Sequence, residues 1–264
     1  MISSLALVAC ATLVIGALGA ALWRSRRQIR RLRERGEATA GNLETLQTSL
    51  ARFVPNEVIE GVISSGVSTS GERKEITVLF ADLVGFTALS ESLEPTMLVR
   101  ILNGYFERMS QAVTEHRGYV STFLGDGILA LFGALQPNPW QANNAAGAAL
   151  AMRRGIEEYN LELGAQGLPT LAIGVGLHRG SGVAGLVGSR DLLQFAFVGR
   201  VVNLAARVQD FTRTCDADIL ITEAVQRDLD PRFVLRPMAP ASLRGIEKPV
   251  TTYALERLET PNSA

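Results

Sequence analysis

Asp82 and Asp126 are the acids in this chain whose surroundings point to chemistry. Asp82 closes a run of β-branched and aromatic residues in ITVLFADLVGFTALS (76–90), where Gly85 leads into Thr87 and Ser90, which read as a helix start. A strand, an acid, a glycine turn and a helix put a carboxylate beside free backbone N–H groups. That corner suits a divalent cation on the carboxylate and phosphate oxygens on the amides. An acid ending a strand also serves ordinary turn chemistry, so the stretch alone supports both readings. Asp126 lies in Gly125-Asp126-Gly127, between the apolar runs Tyr119 to Leu124 and Ile128 to Phe132, a hairpin pattern in which an acid is equally at home as a turn residue. If the strand before Asp82 neighbours this hairpin, the two carboxylates converge and repel unless a proton or a cation lies between them. Metal is the simpler answer, and all-oxygen donors with no His or Cys nearby suit Mg²⁺ or Mn²⁺ rather than Zn²⁺.

Asn203 and Arg207 are four apart on a predicted helix and share a face. An amide and a guanidinium so aligned suit a ribose and a phosphate whose charge grows in a transition state, although a helical Arg more often faces solvent. His116 and His178 have no acid or nucleophile at a telling distance and read as structural. The glycine cluster GSGVAGLVGS (180–189) lacks the Gly-Lys-Ser/Thr of a P-loop, and a flexible strand connection is expected there.

The elements that must hold these residues alternate from Glu75 onward. Strands are predicted to end at Asp82 and to cover 119–124, 128–132, 171–177, 193–198 and 219–221, with shorter ones at 233–235 and 250–255. Helices are predicted from Pro95, with Leu98, Ile101, Leu102, Tyr105 and Met109 on one face, over 139–159 in an alanine-rich stretch, and over 200–211. This order implies an α+β fold with a ferredoxin-like core.

A length of 264 residues with 47% hydrophobic content supports one full domain plus additions. Residues 2–23 carry no charge and are long enough to cross a bilayer as a helix. Seven arginines and one glutamate follow between Arg24 and Arg35. Positive charge after the apolar run predicts a retained anchor, with the N-terminus outside and the rest in the cytoplasm at the cell membrane. The remaining chain is then acidic, which argues against nucleic acid as a partner. Ile29, Leu43 and Leu50 at heptad position a, and Leu32, Leu46 and Phe53 at d, suggest a weak dimer helix interrupted at Gly36 and Thr39. Pro55 ends it, and Ser64 to Gly71 reads as a hinge. The expected organisation is a membrane helix over 1–23, a basic helical linker over 24–71, a catalytic domain over 72–258 and a tail over 259–264. Two cysteines, Cys10 and Cys215, build no disulfide framework.

Three motifs together, FADLVGFT (80–87), FLGDGILALFG (123–133) and VGRVVNLAARV (198–208), with LRGIEKPVTTYAL (243–255) as weaker support, resemble the class III nucleotide cyclase domain, the adenylate/guanylate cyclase family. The resemblance implies that Asp82 and Asp126 bind two Mg²⁺ or Mn²⁺ ions, with the Leu83 carbonyl on one of them and the amides of Gly85, Phe86 and Thr87 facing a triphosphate. It implies that Asn203 orients the ribose and Arg207 stabilises the pentavalent phosphorus, both reaching the partner's site in a head-to-tail homodimer. Arg244 or Lys248 matches the phosphate-binding lysine. At the base-reading positions, Thr122 stands where adenylate cyclases usually carry Lys, and Ala196 where they carry Asp or Thr; Arg200 replaces a common Asp or Asn. The implied function is cyclisation of a nucleoside triphosphate, ATP favoured, to a 3′,5′-cyclic nucleotide. The alternative is a cyclase-like dimerisation or signalling module that binds nucleotide without turnover.

Overall fold

The computed structural model describes residues 71–189 and 193–259. The expected membrane span, the linker up to residue 70 and the tail from residue 260 lie outside the described residues. Among the described residues no helix is long and apolar enough to cross a membrane.

The elements run β1 (Glu72–Leu83), α1 (Phe86–Ser92), α2 (Pro95–Glu115), β2 (Tyr119–Leu124), β3 (Gly127–Phe132), α3 (Gln141–Ala165), β4 (Ile173–Gly188), β5 (Leu193–Val198), α4 (Arg200–Thr212), β6 (Ile219–Thr222), α5 (Glu223–Gln226), β7 (Phe233–Pro237) and β8 (Thr252–Leu258). One mixed sheet has the order β2-β3-β1-β4-β6-β8-β7, with β5 paired to β4 outside that path. Its first four strands form the antiparallel β2-β3-β1-β4 half expected of a βαββαβ core. β1 is therefore central and covered on both faces, which is why ITVLFA reads as a continuous apolar run rather than an alternation.

On one face, Leu79, Ala81 and Leu83 of β1 pack with Ile128, Ala130 and Phe132 of β3 beneath α2 and α3. The α2 stripe is the one its spacing predicts: Ile101, Tyr105 and Met109 are fully buried, worth about 1.5–3 kcal/mol for each large apolar side chain. α3 brings Ala142, Ala145, Ala146, Ala148 and Ala149 inward, and their small side chains let the helix lie close to the sheet. On the other face Ile76 and Val78 meet Phe197 of β5 and Val201 and Ala205 of α4. Arg153 ties α3 to the far half of the sheet, donating to both carboxylate oxygens of Asp218 at 2.6 and 2.8 Å and to the carbonyls of Glu256 and Leu255 at 2.7 and 2.8 Å.

The glycine cluster at 180–189 is not a flexible connection. β4 continues unbroken to Gly188 and pairs with β1 and β5 along that stretch. The glycines serve close approach instead: a Cβ at Gly182 would sit 2.4 Å from the Phe197 ring, and one at Gly176 would sit 2.2 Å from the Gln209 backbone nitrogen of α4. At Gly182 the missing side chain makes room for β5, and at Gly176 it lets α4 lie on β4. The last predicted strand, 250–255, lies instead at Thr252–Leu258, after an isolated bridge between Ala241 and Val250.

Candidate active site

Ala81 pairs with Ile128 across β1 and β3, so Asp82 stands at the mouth of the β2–β3 turn that carries Asp126. A Cβ placed on Gly127 would lie 3.4 Å from Asp82 Oδ1, which measures how tightly the turn closes over that carboxylate. The turn exists because Gly125 takes φ 67°, a left-handed angle that glycine adopts without penalty. Asp82 and Asp126 lie close enough for the two carboxyl groups to interact directly. Burial, that interaction and the charge of Asp126 raise the Asp82 pKa to about 6, against the opposing pull of Arg213 and the Leu83 amide. The Leu83 N–H donates to Asp82 Oδ1 at 3.1 Å, and Arg213 Nη2 donates to Oδ2 at 2.5 Å. Behind them the Tyr105 hydroxyl is buried without a hydrogen-bond partner, and burial followed by the two aspartate charges pushes its pKa up.

Two carboxylates in contact at a sheet end, already drawing a guanidinium, suit a hard divalent cation. Among the described residues no cluster of three or more His, Cys, Asp or Glu side chains could hold a metal. The remaining ligands would be the Leu83 carbonyl, water and phosphate oxygens, the coordination Mg²⁺ takes when it is bound with its substrate. The residues fit the metal that the sequence motifs imply.

The raised Asp82 pKa has a consequence for stability. Between about pH 4 and 6 the folded chain holds a proton that the unfolded chain has released, so this group's contribution falls as pH rises through that window. His178 acts in the opposite sense: burial lowers its pKa to about 4, and protonation in the unfolded state makes stability rise with pH up to about 6.5. In metal-free protein, Asp82→Asn is therefore expected to make the denaturation midpoint climb more steeply between pH 4 and 6 than in the parent. Superimposable pH profiles would contradict the raised Asp82 pKa.

The gap from Gly85 into α1 also follows the motif. Gly85 has φ 73°, and α1 starts without a side-chain cap, which leaves the amides of Phe86 and Thr87 without one beside Asp82. Thr122 lies on β2 and Ala196 on β5, and these strands meet: Gln194 Nε2 donates to the Ser121 carbonyl at 3.4 Å, and the Tyr119 and Phe195 rings are 5.9 Å apart. The two positions expected to face the base therefore belong to one neighbourhood.

Within one chain Asn203 is set apart from the aspartates, and Arg207, nearer to them on α4, is paired with Asp210 instead. α4 starts over Gly180, where Val201 is 3.3 Å from a would-be Cβ, and ends over Gly174, where Thr212 Oγ1 is 2.2 Å from one. Gly180 pairs with Ile76, and Gly174 with Asp82. Six strand residues at about 3.3 Å each separate the two ends of α4 by roughly 20 Å. Asn203 lines a cavity of about 390 Å³ at the far end, with His178, Ser181, Arg200, Gly245 and Ile246. Arg207 is held by Asp210 of its own helix at 2.9 Å. Arg244 and Lys248 are both exposed, and Arg244 adjoins the cavity through Gly245 while Lys248 does not line it. His116 Nδ1 donates to the Ala112 carbonyl at 2.8 Å and His178 Nδ1 hydrogen-bonds Thr222 Oγ1 at 2.9 Å, the structural roles expected of them. Arg213 is the residue that sequence reasoning missed. It is 131 positions from Asp82, and neither spacing nor motif signals the contact.

A family model described as the adenylate and guanylate cyclase catalytic domain matches residues 69–257. An adenylate cyclase of Anabaena cylindrica is 32% identical over 219 residues, covering 79% of this chain and 43% of the relative. Adenylate cyclase 1 of Rhizobium meliloti is 30% identical over 207 residues, covering 78% and 31%. The chain thus spans less than half the length of these two relatives. Among solved structures, the guanylyl cyclase Cya2 matches at a TM-score of 0.66 and 32% identity over 73% of this chain and 97% of that one. The adenylyl cyclase CyaB from P. aeruginosa matches at 0.68 and 29% over 72% and 97%. With most of the described residues inside the matched range, the chain belongs to the adenylate and guanylate cyclase catalytic domain family.

Proposed function

We propose that this chain forms a homodimeric nucleotide cyclase that converts ATP to cyclic AMP and pyrophosphate at two shared sites. The observation that carries the reading is a set of groups complete in chemistry but split in space. The carboxylate pair Asp82–Asp126 lies at the C-terminal end of α4, and Asn203 lies toward its N-terminal end, about 14 Å back along the helix. A head-to-tail twofold brings one chain's Asn203 and Arg207 to its partner's aspartates, and symmetry makes two such sites. Exposed apolar side chains supply a surface for that contact: Phe123 and Leu124 beside Asp126, and Val183, Val187 and Val198 on the β4–β5 hairpin.

In the assembled site Asp82, Asp126 and the Leu83 carbonyl hold Mg²⁺ or Mn²⁺. The bound ions supply Lewis-acid polarisation and charge neutralisation at the reacting phosphate. The amides of Gly85, Phe86 and Thr87 receive the triphosphate, and Arg244, whose neighbour Gly245 lines the Asn203 cavity, reaches it from the partner. Asn203 orients the ribose so that its 3′-oxygen faces the α-phosphorus. That oxygen loses its proton and bonds to phosphorus, while the bond from the α-phosphorus to the bridging oxygen breaks and pyrophosphate leaves. Arg207, exchanging Asp210 for the phosphoryl oxygens, meets the growing equatorial charge. Thr122 offers one hydroxyl to a purine edge and Ala196 none, so the base is selected weakly. ATP is favoured because the curated relatives described above are named adenylate cyclases. The apolar segment over 2–23 anchors the enzyme, with the catalytic domain in the cytoplasm.

The purified full chain with ATP and Mn²⁺ is expected to release cyclic AMP, with GTP turned over at a rate within about a hundredfold of ATP. A sample shown to be dimeric that forms no cyclic product from either nucleotide with either metal would leave the nucleotide-binding module as the reading.

A further inference from the structure

Arg213 is the C-cap residue of α4, and its guanidinium makes a 2.5 Å ion pair with Asp82, the carboxylate assigned above to the metal. The pair is half open to water, with the Arg213 side chain 45% exposed and the Asp82 side chain 23% exposed, so the arginine has room to leave. Among the described residues the Arg213 guanidinium bonds Asp82 alone. The helix end behind it is tightly seated. Thr212 Oγ1 lies against Gly174, the β4 residue paired with Asp82, and donates to the Gln209 carbonyl at 2.7 Å. One turn earlier Asp210 holds Arg207. The terminal turns of α4 thus carry two arginines, each neutralised by a carboxylate of the same chain.

Asp82 Oδ1 accepts the Leu83 N–H and Oδ2 accepts Arg213, so a divalent cation on this carboxylate competes with the guanidinium, and the two cations repel each other at that distance. We infer that Arg213 is the resident counter-cation of the metal site: it holds Asp82 in the metal-free enzyme, a divalent ion must displace it, and its release loosens the C-terminal end of α4. The inference rests on the reading of Asp82 and Asp126 as metal ligands. Because α4 also carries Asn203 and Arg207, occupancy of one site is thereby linked to the helix that serves the other.

The test measures Mn²⁺ binding to the full chain without nucleotide, by the electron paramagnetic resonance signal of free Mn²⁺. Arg213→Gln is expected to bind Mn²⁺ about fivefold more tightly than the parent, since a half-exposed ion pair contributes up to about a kcal/mol. Arg213→Lys, which keeps the charge but loses the planar fork, should fall between them. Amide hydrogen exchange over residues 212–217 should quicken on adding Mn²⁺ to the parent, and be fast already in Arg213→Gln. Unchanged or weaker Mn²⁺ binding in Arg213→Gln overturns the competition, and unchanged exchange overturns the link to α4. Asp82→Asn separates the two readings: if it binds Mn²⁺ as the parent does, the metal site itself is misassigned, whatever Arg213 does.

Discussion

Asp126→Asn is expected to lower cyclic nucleotide formation by about a thousandfold or more, with the far-ultraviolet circular dichroism unchanged. The size follows from what one carboxylate does here. Metal and oriented cations supply most of the acceleration in a phosphoryl transfer, and removing one of two anionic ligands removes both affinity and position of the ion. The substitution is nearly isosteric and sits in a turn whose conformation is set by Gly125 at φ 67°, so the fold has little reason to respond. Loss of the neighbouring charge takes away one of the causes that raise the Asp82 pKa. The variant therefore separates the charge of Asp126 from its place in the turn. Turnover above about a tenth of the parent would remove Asp126 from the metal site.

Mixing Asp82→Ala chains with Arg207→Ala chains is expected to restore activity that neither has alone, to about a quarter of the parent. Random pairing makes half of the dimers hybrid, and each hybrid has one site with both defects and one with none. The physical basis is that Asn203 lies away from its own chain's aspartates along α4, while Arg207, nearer to them, is turned to Asp210 rather than to either one. Product assayed at rising ratios of one variant to the other should follow the hybrid population. Heterodimers demonstrated by differential tags yet wholly inactive would show that Asn203 and Arg207 serve their own chain's aspartates, and the shared-site reading would fall.

Much of the site was legible because its chemistry is local. Asp82 and Asp126 each lie at a strand end beside a glycine that permits the turn, and such corners are written in a few consecutive residues. The α2 stripe of Ile101, Tyr105 and Met109 was legible for the same reason, since helical period and burial coincide over a long segment. Strand pairing was less so. The glycines of 180–189 suggest mobility when read as a string, but in β4 they are the space into which Phe197 and Val201 pack. Missing side chains have the same sequence appearance whether they permit motion or close contact.

By itself the sequence determined the family and the α+β order of elements, and it supplied the acids and the amide–arginine pair proposed for the site, because each depends on residue type and short spacing. Only the tertiary structure decided which of these groups meet. It joined Asp82 to Asp126 through the β1–β3 register, put Asn203 at the opposite end of α4 in a separate cavity, and brought Arg213 onto Asp82 from 131 residues away. Distance across a sheet is set by register and by the few side chains small enough to let a helix lie upon it, and no local pattern encodes that sum.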